Sequence, residues 1–564
     1  MYINLLEVEL SNVFNKLGYN IKAKVIKSNR PELCDYQCDD AFKLAKMYHK
    51  SPMEIGTEVT ELLKKSEKAT NYFSNIEFVK PGFINMTLSD TFINSIIRKM
   101  NDSYRFGIKE PEKKELFFLD YGGPNVAKPL HVGHMRTAIV GESIKRIIKY
   151  IGHDTICDVH LGDYGLQIGQ VIYGIINDNK KPEDITLEYL EKTYPKISAL
   201  CKENEQIKDE CARITKELQD GNLEYQKLWK IILEISGNDI KRLYNYLDVH
   251  FDLWEGESDA YKYIEKTTEY FNSKNLIEES DGAKIINVLE DTDNAPLPPL
   301  IYQKSNGAYL YATTDLATIY ERVTKYHPDH ILYIVDNRQS MHFEQVFRAC
   351  NKANLTKDIT LEFLGYGTVN GMDGKPYKTR SGDAPKLDNL FSQIKEIFIN
   401  SKEENKNMDE EDINKIVNSI LKFADLQNNR ERDYIFDINK FSNVVGKTGP
   451  YILYTYVRIN KIIENCEIND LSDNIYNNVD RNLRLKLIEL EESLTNAFND
   501  KMPSYLADYI YNIAVLANNF YQINHINNLD DLNKKNDWLY ILNLTNKILK
   551  EMLNLIVIDI PKVM

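Results

Sequence analysis

The segment from residue 116 to about 160 places the strictest limit on how this chain can fold. It begins with the continuously apolar run Leu116–Leu119, which is typical of a parallel strand covered on both faces. A polar loop follows, then a helical pattern that ends near Gly152, and then a second short strand around 157–159. A strand, a crossover helix and another strand within this length predict an open, parallel α/β sheet.

Several domains are expected, because a single hydrophobic core stops growing well before a length of 564 residues. The patterns predict a multidomain α/β protein with an N-terminal α+β domain over residues 1–110. An α/β domain with a parallel sheet is expected over 111–390, and an all-α helix bundle over 391–564. Charged helical segments between about 175 and 300 predict an insertion that divides the α/β domain into two halves.

Local periodicity predicts the individual helices and strands. In the N-terminal region, helical patterns lie near 2–17 and 39–66, and an alternating run over 76–86 is broken by Pro81-Gly82. This run indicates two strands joined by a turn. Further helices are predicted at 188–220, 222–246, 451–463 and 538–555, and further strands at 283–288, 300–303, 331–335 and 361–369.

The net charge of −14 argues against a basic protein that coats nucleic acid, because neutralising phosphates requires clustered lysines and arginines. Local basic patches remain compatible with this charge. The N-terminal segment carries acidic residues inside its apolar stretch, unlike a secretory signal, and no apolar run approaches a membrane-spanning length. We therefore expect a cytoplasmic protein with no membrane partner.

Seven scattered cysteines fit a reducing compartment, with free buried thiols as the expected state. Cys34 and Cys38 are not followed by a second Cys or His pair at the spacing of a structural zinc site. We therefore expect no metal ion that is held by the protein alone.

The motif His131-Val132-Gly133-His134 follows the first predicted strand and opens the next helix. Ligands of open α/β sheets bind beyond the carboxyl ends of the strands, where a helix N-terminus offers free N–H groups to phosphates. Gly133 permits close backbone approach to a nucleotide, and both histidines can donate hydrogen bonds to an α-phosphate. Two other interpretations remain open, because paired histidines also serve as helix caps and small nucleotidyltransferases share the pattern.

The residues around this motif closely resemble the arginyl-tRNA synthetases, a family of class I aminoacyl-tRNA synthetases. The resemblance extends over nearly the whole chain and keeps the family's order. The matching stretches are Pro124–Arg136, Gly152–Asp154, Gly162–Gln167, Tyr309–Ala317, Val335–Phe343, Asp433-Tyr434, Gly449–Tyr451, Tyr456–Ile459 and Ile560–Met564.

The resemblance implies a Rossmann-like class I catalytic domain over 111–390 and an arginine–tRNA ligase activity. Such an enzyme uses ATP with Mg²⁺ to convert L-arginine to arginyl-adenylate, and then transfers the arginine to the 3′ end of tRNA(Arg). An editing domain is not expected, because a polar pocket for a guanidinium group discriminates strongly against other amino acids. We expect a monomer.

By the same resemblance, Asp315 and Tyr311 bind the guanidinium group, while Asp120 and Asn125 hold the ammonium and carboxylate end. Gln339 completes the arginine pocket. Carboxylates and hydroxyls suit the planar fork of five N–H donors that arginine presents. Each residue also has a structural alternative, since Asp315 could cap a helix, Tyr311 could lie in the core and Asn125 could shape a turn.

The second class I signature, Lys-Met-Ser-Lys-Ser, is degenerate here and reads Tyr377–Gly382. Many arginyl enzymes show this departure and carry a lysine just before the histidine motif, which is Lys128 in this chain. We therefore expect His131, His134, Lys128, Lys378 and Arg380 to act on ATP, with Gly133 lining its site. Lys378 and Arg380 could also belong to a solvated loop.

The resemblance further implies an N-terminal domain that reads the tRNA elbow and a helical C-terminal domain that reads the anticodon. Tyr454, Tyr456 and Arg458 are candidates for contacts with tRNA bases. Core packing explains the tyrosines almost equally well. An alternative for the whole chain is a non-catalytic, synthetase-like RNA-binding or regulatory protein, which should show damage at Lys128 or in the histidine motif.

Overall fold

The structure is a computed structural model that describes residues 2–377, 386–526 and 529–564. The described residues form two compact units. The first comprises the described parts of Met1–Lys109, Thr455–Thr495 and Tyr509–Lys550, and the second those of Glu110–Tyr454, Asn496–Asp508 and Glu551–Met564. The three predicted domains are continuous stretches of chain, whereas each of the two units combines several separate stretches. The predicted boundaries therefore stay predictions.

The N-terminal part of the first unit is an α+β structure, as predicted. Its antiparallel sheet has the strand order β1-β2-β4-β3, and the expected hairpin is formed by β3 and β4. The elements are α1 (Tyr2–Lys16), β1 (Ile26–Lys27), β2 (Tyr36–Cys38), α2 (Ala41–Tyr48), α3 (Pro52–Leu63), α4 (Glu67–Tyr72), β3 (Phe73–Val79), β4 (Phe83–Leu88) and α5 (Asp90–Asp102).

The single helical pattern predicted over 39–66 was wrong, because the chain forms two helices there. Helix α2 ends at Tyr48, and the capping residue His49 adopts a left-handed conformation with φ 52°. Ser51 then caps α3 by accepting a hydrogen bond from the Glu54 N–H, and Pro52 occupies its first turn. Proline has no N–H to donate to a preceding turn, so it begins a helix more readily than it continues one.

The second unit is built around a parallel sheet with helices packed against it. In chain order its elements up to residue 441 are β5 (Leu116–Tyr121), α6 (Val132–Ile151), β6 (Asp154–Asp158), α7 (Leu166–Asn177), α8 (Leu187–Glu203), α9 (Glu205–Gln219), α10 (Leu223–Tyr246), α11 (Glu257–Ala260), α12 (Ile264–Ser273), β7 (Ile277–Ser280), β8 (Ala283–Ile286), β9 (Leu300–Gln303), α13 (Tyr311–Tyr326), β10 (His330–Ile334), α14 (Ser340–Lys352), β11 (Thr360–Phe363), β12 (Val369–Asn370), α15 (Leu387–Ser401), α16 (Glu410–Leu426), β13 (Tyr434–Ile435) and α17 (Ile438–Phe441).

The parallel sheet has the strand order β11-β10-β5-β6, which confirms the predicted crossover and the split of the sheet in sequence. Asp120 of β5 lies beside Tyr333 of β10 on one side and beside Asp158 of β6 on the other. The carboxyl ends of three strands thus meet at one edge, where open α/β sheets bind their ligands.

The helical segment predicted over 188–220 is also two helices, α8 and α9. Asn204 separates them, because its side chain accepts hydrogen bonds from the N–H groups of Gln206 and Ile207 and so starts a new helix. Between β6 and β10 the insertion also contains a small antiparallel sheet with the order β7-β8-β9.

The C-terminal region is helical, as expected, apart from the short strand β13, which pairs in parallel with β12. After α17 its helices are α18 (Gly449–Ile463), α19 (Asn478–Ile488), α20 (Leu490–Asn499), α21 (Ser504–Ile523) and α22 (Leu532–Leu555). Within the first unit, buried Arg484 of α19 binds Asp480 and the Asn94 side chain of α5, both at 2.6 Å. Among the described helices, none is long and apolar enough to cross a bilayer.

Candidate active site

A buried ionic cluster lies at the carboxyl edge of the parallel sheet. Arg322, which projects from α13, is 1% exposed. Its guanidinium lies 2.7 Å from the Asp120 carboxylate and 3.0 Å from the Asp158 carboxylate, and it donates a hydrogen bond to the Tyr333 hydroxyl at 3.1 Å. One arginine therefore links the ends of three adjacent strands, β10, β5 and β6.

His160 adds a second positive group to this cluster. Its Nδ1 lies 3.4 Å from the Asp158 carboxylate. Burial lowers the pKa of His160, but the neighbouring Asp158 carboxylate and the charge of Asp120 prevail and raise it to about 9. Burial likewise raises the pKa of Asp158, yet His160 and Arg322 together bring it down to about 2. For Asp120, burial prevails and raises the pKa above its ordinary value.

The cluster of Asp120, Asp158 and His160 has the residue types of a metal site, with one donor atom from each within 4.8 Å of the others. Arg322 already pairs with both carboxylates, and a divalent ion would be repelled by its guanidinium. We therefore assign no metal ion to these residues.

The histidine motif forms the N-terminal cap of α6. His131 Nδ1 accepts a hydrogen bond from the Gly133 N–H at 3.1 Å, and His134 Nδ1 accepts one from the His131 N–H at 3.2 Å. Because both Nδ1 atoms accept, each neutral ring carries its proton on Nε2. The two ring centres are 3.9 Å apart, so the motif presents two adjacent N–H donors.

The charge state of these two histidines follows from their surroundings. Burial lowers the pKa of His134 to about 3, and the charges of His131 and Lys128 act in the same direction. Burial also lowers the pKa of His131, helped by the charges of Lys128 and Arg338. Both rings are therefore neutral donors near neutral pH, as hydrogen bonding to a phosphate requires.

Helix α8 of the insertion contacts the two chain segments beside this motif. Tyr194 lies under the Lys128 ammonium group, 4.5 Å from its ring centre. One turn earlier, Glu191 forms an ion pair with Lys386 at 2.5 Å, and the next residue, Leu387, donates its N–H to the Leu130 carbonyl at 2.9 Å. The predicted ATP residues Lys378 and Arg380 lie outside the described residues.

The predicted guanidinium ligands lie on one face of α13. Tyr311 and Asp315 are four residues apart at the start of this helix, a spacing that places side chains on the same side. Tyr311 is 65% exposed, so its alternative as a core residue was wrong. Asp315 lies in the second turn and receives a 2.5 Å hydrogen bond from His342, a residue outside the predicted set.

The remaining predicted arginine ligands occupy two loops. Gln339 is exposed, immediately before α14. Asn125 pairs with Gly162 through the backbone, and its Oδ1 would lie only 2.1 Å from a Cβ at position 162. Any larger residue at position 162 would clash with Asn125, so this position requires glycine. The same close approach brings the loop after β5 against the loop after β6.

The three tRNA candidates near 455 have different environments. Tyr454 is 42% exposed, and Tyr456 is half-buried. The Arg458 guanidinium stacks on the Tyr521 ring at 4.2 Å. Their contacts with tRNA stay predictions.

Five residues were missed in the sequence. Arg322, His160, His342 and Tyr194 contact site residues, and Glu257 has a shifted pKa. His342 and His160 belong to or lie beside stretches that match the family, which was the available signal. Burial raises the pKa of Glu257 to about 7; the charge of His160 opposes this, and the charges of Asp163 and Asp315 reinforce it. This carboxyl group titrates near neutral pH.

A parallel sheet whose first strand leads into a helix capped by two histidines is typical of a class I aminoacyl-tRNA synthetase. Residues 93–438 match the family model described as tRNA synthetases class I (R), catalytic domain. Residues 2–88 match the arginyl tRNA synthetase N terminal domain, and residues 452–564 match the DALR anticodon binding domain. The chain belongs to the arginyl-tRNA synthetase family.

Individual relatives agree with this assignment. The chain is 41% identical to an arginine–tRNA ligase of Alkaliphilus oremlandii over 100% of both chains, and 39% identical to one of Agathobacter rectalis over 99% of both. The arginyl-tRNA synthetase structure from Plasmodium falciparum superposes with a TM-score of 0.83 at 26% identity, covering 100% of this chain and 99% of the other. The Thermus thermophilus arginyl-tRNA synthetase shares the fold, with a TM-score of 0.81 at 20% identity and full coverage of both chains.

Proposed function

We propose that this chain is an arginine–tRNA ligase that activates L-arginine with ATP and transfers it to the 3′ end of tRNA(Arg). The observation that carries the specificity is the pairing of Tyr311 and Asp315 on one face of α13. A hydroxyl and a carboxylate presented side by side suit a guanidinium group, which donates hydrogen bonds in a planar fork. The intact Lys128, His131 and His134 speak against a non-catalytic relative.

In the first step, the carboxylate of arginine attacks the α-phosphorus of Mg²⁺-ATP, and pyrophosphate leaves. Asp315 and Tyr311 bind the guanidinium group, and Gln339 completes the arginine pocket. Asp120 and Asn125 hold the ammonium and carboxylate end of the amino acid. The Nε2–H groups of His131 and His134 donate to the α-phosphate as its charge develops, and Gly133 admits the nucleotide. Lys128, Lys378 and Arg380 neutralise the remaining phosphates.

In the second step, a terminal ribose hydroxyl of tRNA attacks the carbonyl carbon of arginyl-adenylate, and AMP leaves. Neither step uses a protein nucleophile, so catalysis consists of positioning and charge stabilisation. No metal ion is held by the protein alone, since Mg²⁺ arrives with ATP.

Three parts of the chain are proposed to contact tRNA. The N-terminal domain over 1–110 contacts the tRNA elbow, and the bundle over 391–564 contacts the anticodon, with Tyr454, Tyr456 and Arg458 touching bases. The insertion over about 175–300 supports the acceptor end beside the catalytic domain over 111–390. The enzyme acts as a cytoplasmic monomer.

The test is ATP–pyrophosphate exchange measured for each of the twenty amino acids, with and without tRNA(Arg). We expect exchange with L-arginine alone among the twenty. Exchange with a different amino acid, or none with arginine when tRNA is present, would overturn the proposed specificity. Sedimentation of the full chain at assay concentration tests the monomer separately.

A further inference from the structure

We propose that His342 is a positioning residue for arginine specificity, which holds the Asp315 carboxylate and the Tyr311 ring in the orientation that receives the guanidinium group. This inference rests on the proposed function and adds a residue to it. His342 lies in the first turn of α14, on a different element from the two residues that it contacts.

The geometry joins all three side chains. His342 Nε2 lies 2.5 Å from the Asp315 Oδ2, and since an ionised carboxylate can only accept, the imidazole donates. The same imidazole ring meets the Tyr311 ring edge-on, with centres 5.0 Å apart and planes inclined by 64°. The His342 and Asp315 side chains are 15% and 19% exposed, so the contact is largely shielded from water.

An imidazole suits this task better than a lysine or arginine side chain. Its Nε2–H occupies one lone pair of Asp315 Oδ2 and leaves Oδ1 free for a substrate N–H. A lysine or arginine at position 342 carries several N–H donors and would compete with the substrate for both carboxylate oxygens. A carboxylate fixed before binding loses less conformational freedom when the substrate arrives, and this favours affinity.

The contact with Tyr311 extends the effect to the second ligand. Tyr311 is exposed, and an exposed ring is free to change rotamer unless a neighbour restricts it. Edge-to-face contact with His342 supplies that restriction. One residue therefore sets both the carboxylate and the hydroxyl that the guanidinium group meets.

The experiment compares KM for L-arginine in pyrophosphate exchange at saturating ATP and tRNA(Arg), using the full chain. His342→Ala is expected to raise this KM about 10- to 100-fold, the range for losing a hydrogen bond to a charged group. KM for ATP should not change. His250→Ala is the matched control, because His250 donates to Asp248 at 2.9 Å in an exposed pair away from the pocket.

Two further variants separate positioning from a merely structural role. Glutamine carries its Nε2 the same number of bonds from Cα as histidine, so His342→Gln should restore most of the arginine affinity. His342→Asn places its amide too short to reach Asp315 and should behave like His342→Ala. The Gln and Asn variants should have the same melting temperature. Their difference in KM for arginine then separates positioning from a structural role, even if the alanine variant folds poorly.

An arginine KM that is unchanged in His342→Ala and His342→Asn would overturn the positioning role, as would equal rises in the KM values for arginine and ATP. These outcomes leave the proposed function intact, because the unsubstituted chain still activates arginine. A wild-type chain that does not activate arginine overturns both proposals.

Discussion

The two ends of the candidate active site are held by different kinds of contact. At the predicted amino-acid end, side chains bind one another directly: Arg322 joins Asp120 and Asp158, and His342 fixes Asp315. At the phosphate end, the histidine motif is held by hydrogen bonds between its own rings and backbone, and Lys128 rests on an aromatic ring.

This difference fits what each end is proposed to bind. A guanidinium group is rigid and planar, and a pocket that recognises it benefits from acceptors fixed in advance. The phosphates of ATP change geometry during the displacement, so donors there must serve more than one arrangement. Substitutions at the amino-acid end should therefore affect stability and arginine affinity, and substitutions at the phosphate end should affect the rate of activation or the KM for ATP.

The largest effect is expected for Arg322→Met, which leaves Asp120 and Asp158 buried without their shared cation. Removing one partner of a buried ion pair costs about 3–5 kcal/mol of the free energy of unfolding. Urea denaturation at pH 7, followed by circular dichroism, measures this loss.

Arg213→Met is the matched control, because Arg213 pairs with Glu210 and Glu217 on the exposed surface of α9. It should leave the unfolding transition nearly unchanged. If Arg322→Met unfolded at the same urea concentration as the control, the cluster would not hold the strand ends together.

A large effect on rate is expected for His134→Ala, which removes one of the two donors at the α-phosphate. Loss of one such donor lowers the rate of activation by a factor of about 10²–10³. Single-turnover formation of arginyl-adenylate measures it. His134→Asn separates capping from donation to the phosphate. The asparagine Oδ1 can still accept from the His131 N–H, but asparagine has no donor at the position of the histidine Nε2.

The asparagine variant should keep the thermal stability of the wild type and still lose the rate. His134→Gln, which places a donor near the Nε2 position, should recover part of it. Full activity in His134→Asn would show that capping is the only task of this residue.

The histidines of the two ends should respond to pH in opposite directions. The pKa of His134 is lowered from 6.5 to about 3, so its contribution to stability is present above pH 6.5 and is lost as the pH falls toward 3. The pKa of His160 is raised from 6.5 to about 9, so its contribution is complete below pH 6.5 and is lost as the pH rises through 9.

Each contribution changes by about 1.4 kcal/mol per pH unit between the unfolded and folded pKa values. The measurement is the free energy of unfolding between pH 5 and 9 for the wild type, His134→Asn and His160→Asn. The His134 variant should lose the acid-side slope, and the His160 variant the alkaline-side slope. Parallel curves for all three proteins would contradict the assigned charge states.

The sheet and the histidine motif were predictable because their signals are local. An apolar run, a loop and a helical stripe within residues 116–160 identify the crossover without any tertiary information. The helix predicted over 39–66 failed because periodicity continues across Ser51-Pro52, whereas the backbone there requires a new helix start. The capping residues mark these helix starts in the sequence: Ser51 begins α3, and Asn204 begins α9.

The pairs that hold the site together could not be predicted in the same way. Arg322 and Asp158 come from a helix and a strand that are far apart in sequence, and an arginine inside an amphipathic helix usually faces solvent. His342 acquires its role only when α13 and α14 pack side by side. Family resemblance pointed to residues that are predicted to face the substrate, and it assigned no role to Arg322 or His342, which contact them.

The smallest effect is expected at Tyr194, whose ring holds Lys128 at the phosphate end. A cation–π contact at a partly exposed site contributes about 0.5–1 kcal/mol, so Tyr194→Leu should raise KM for ATP by a factor of about 2–5. Tyr194→Phe keeps a ring face and should behave like the wild type. Tyr189→Leu is the matched control, because Tyr189 lies on the same helix under Lys180, at 5.3 Å. A lower KM in Tyr194→Leu would reverse the interpretation, since the ring would then compete with ATP for Lys128 instead of presenting the lysine to it.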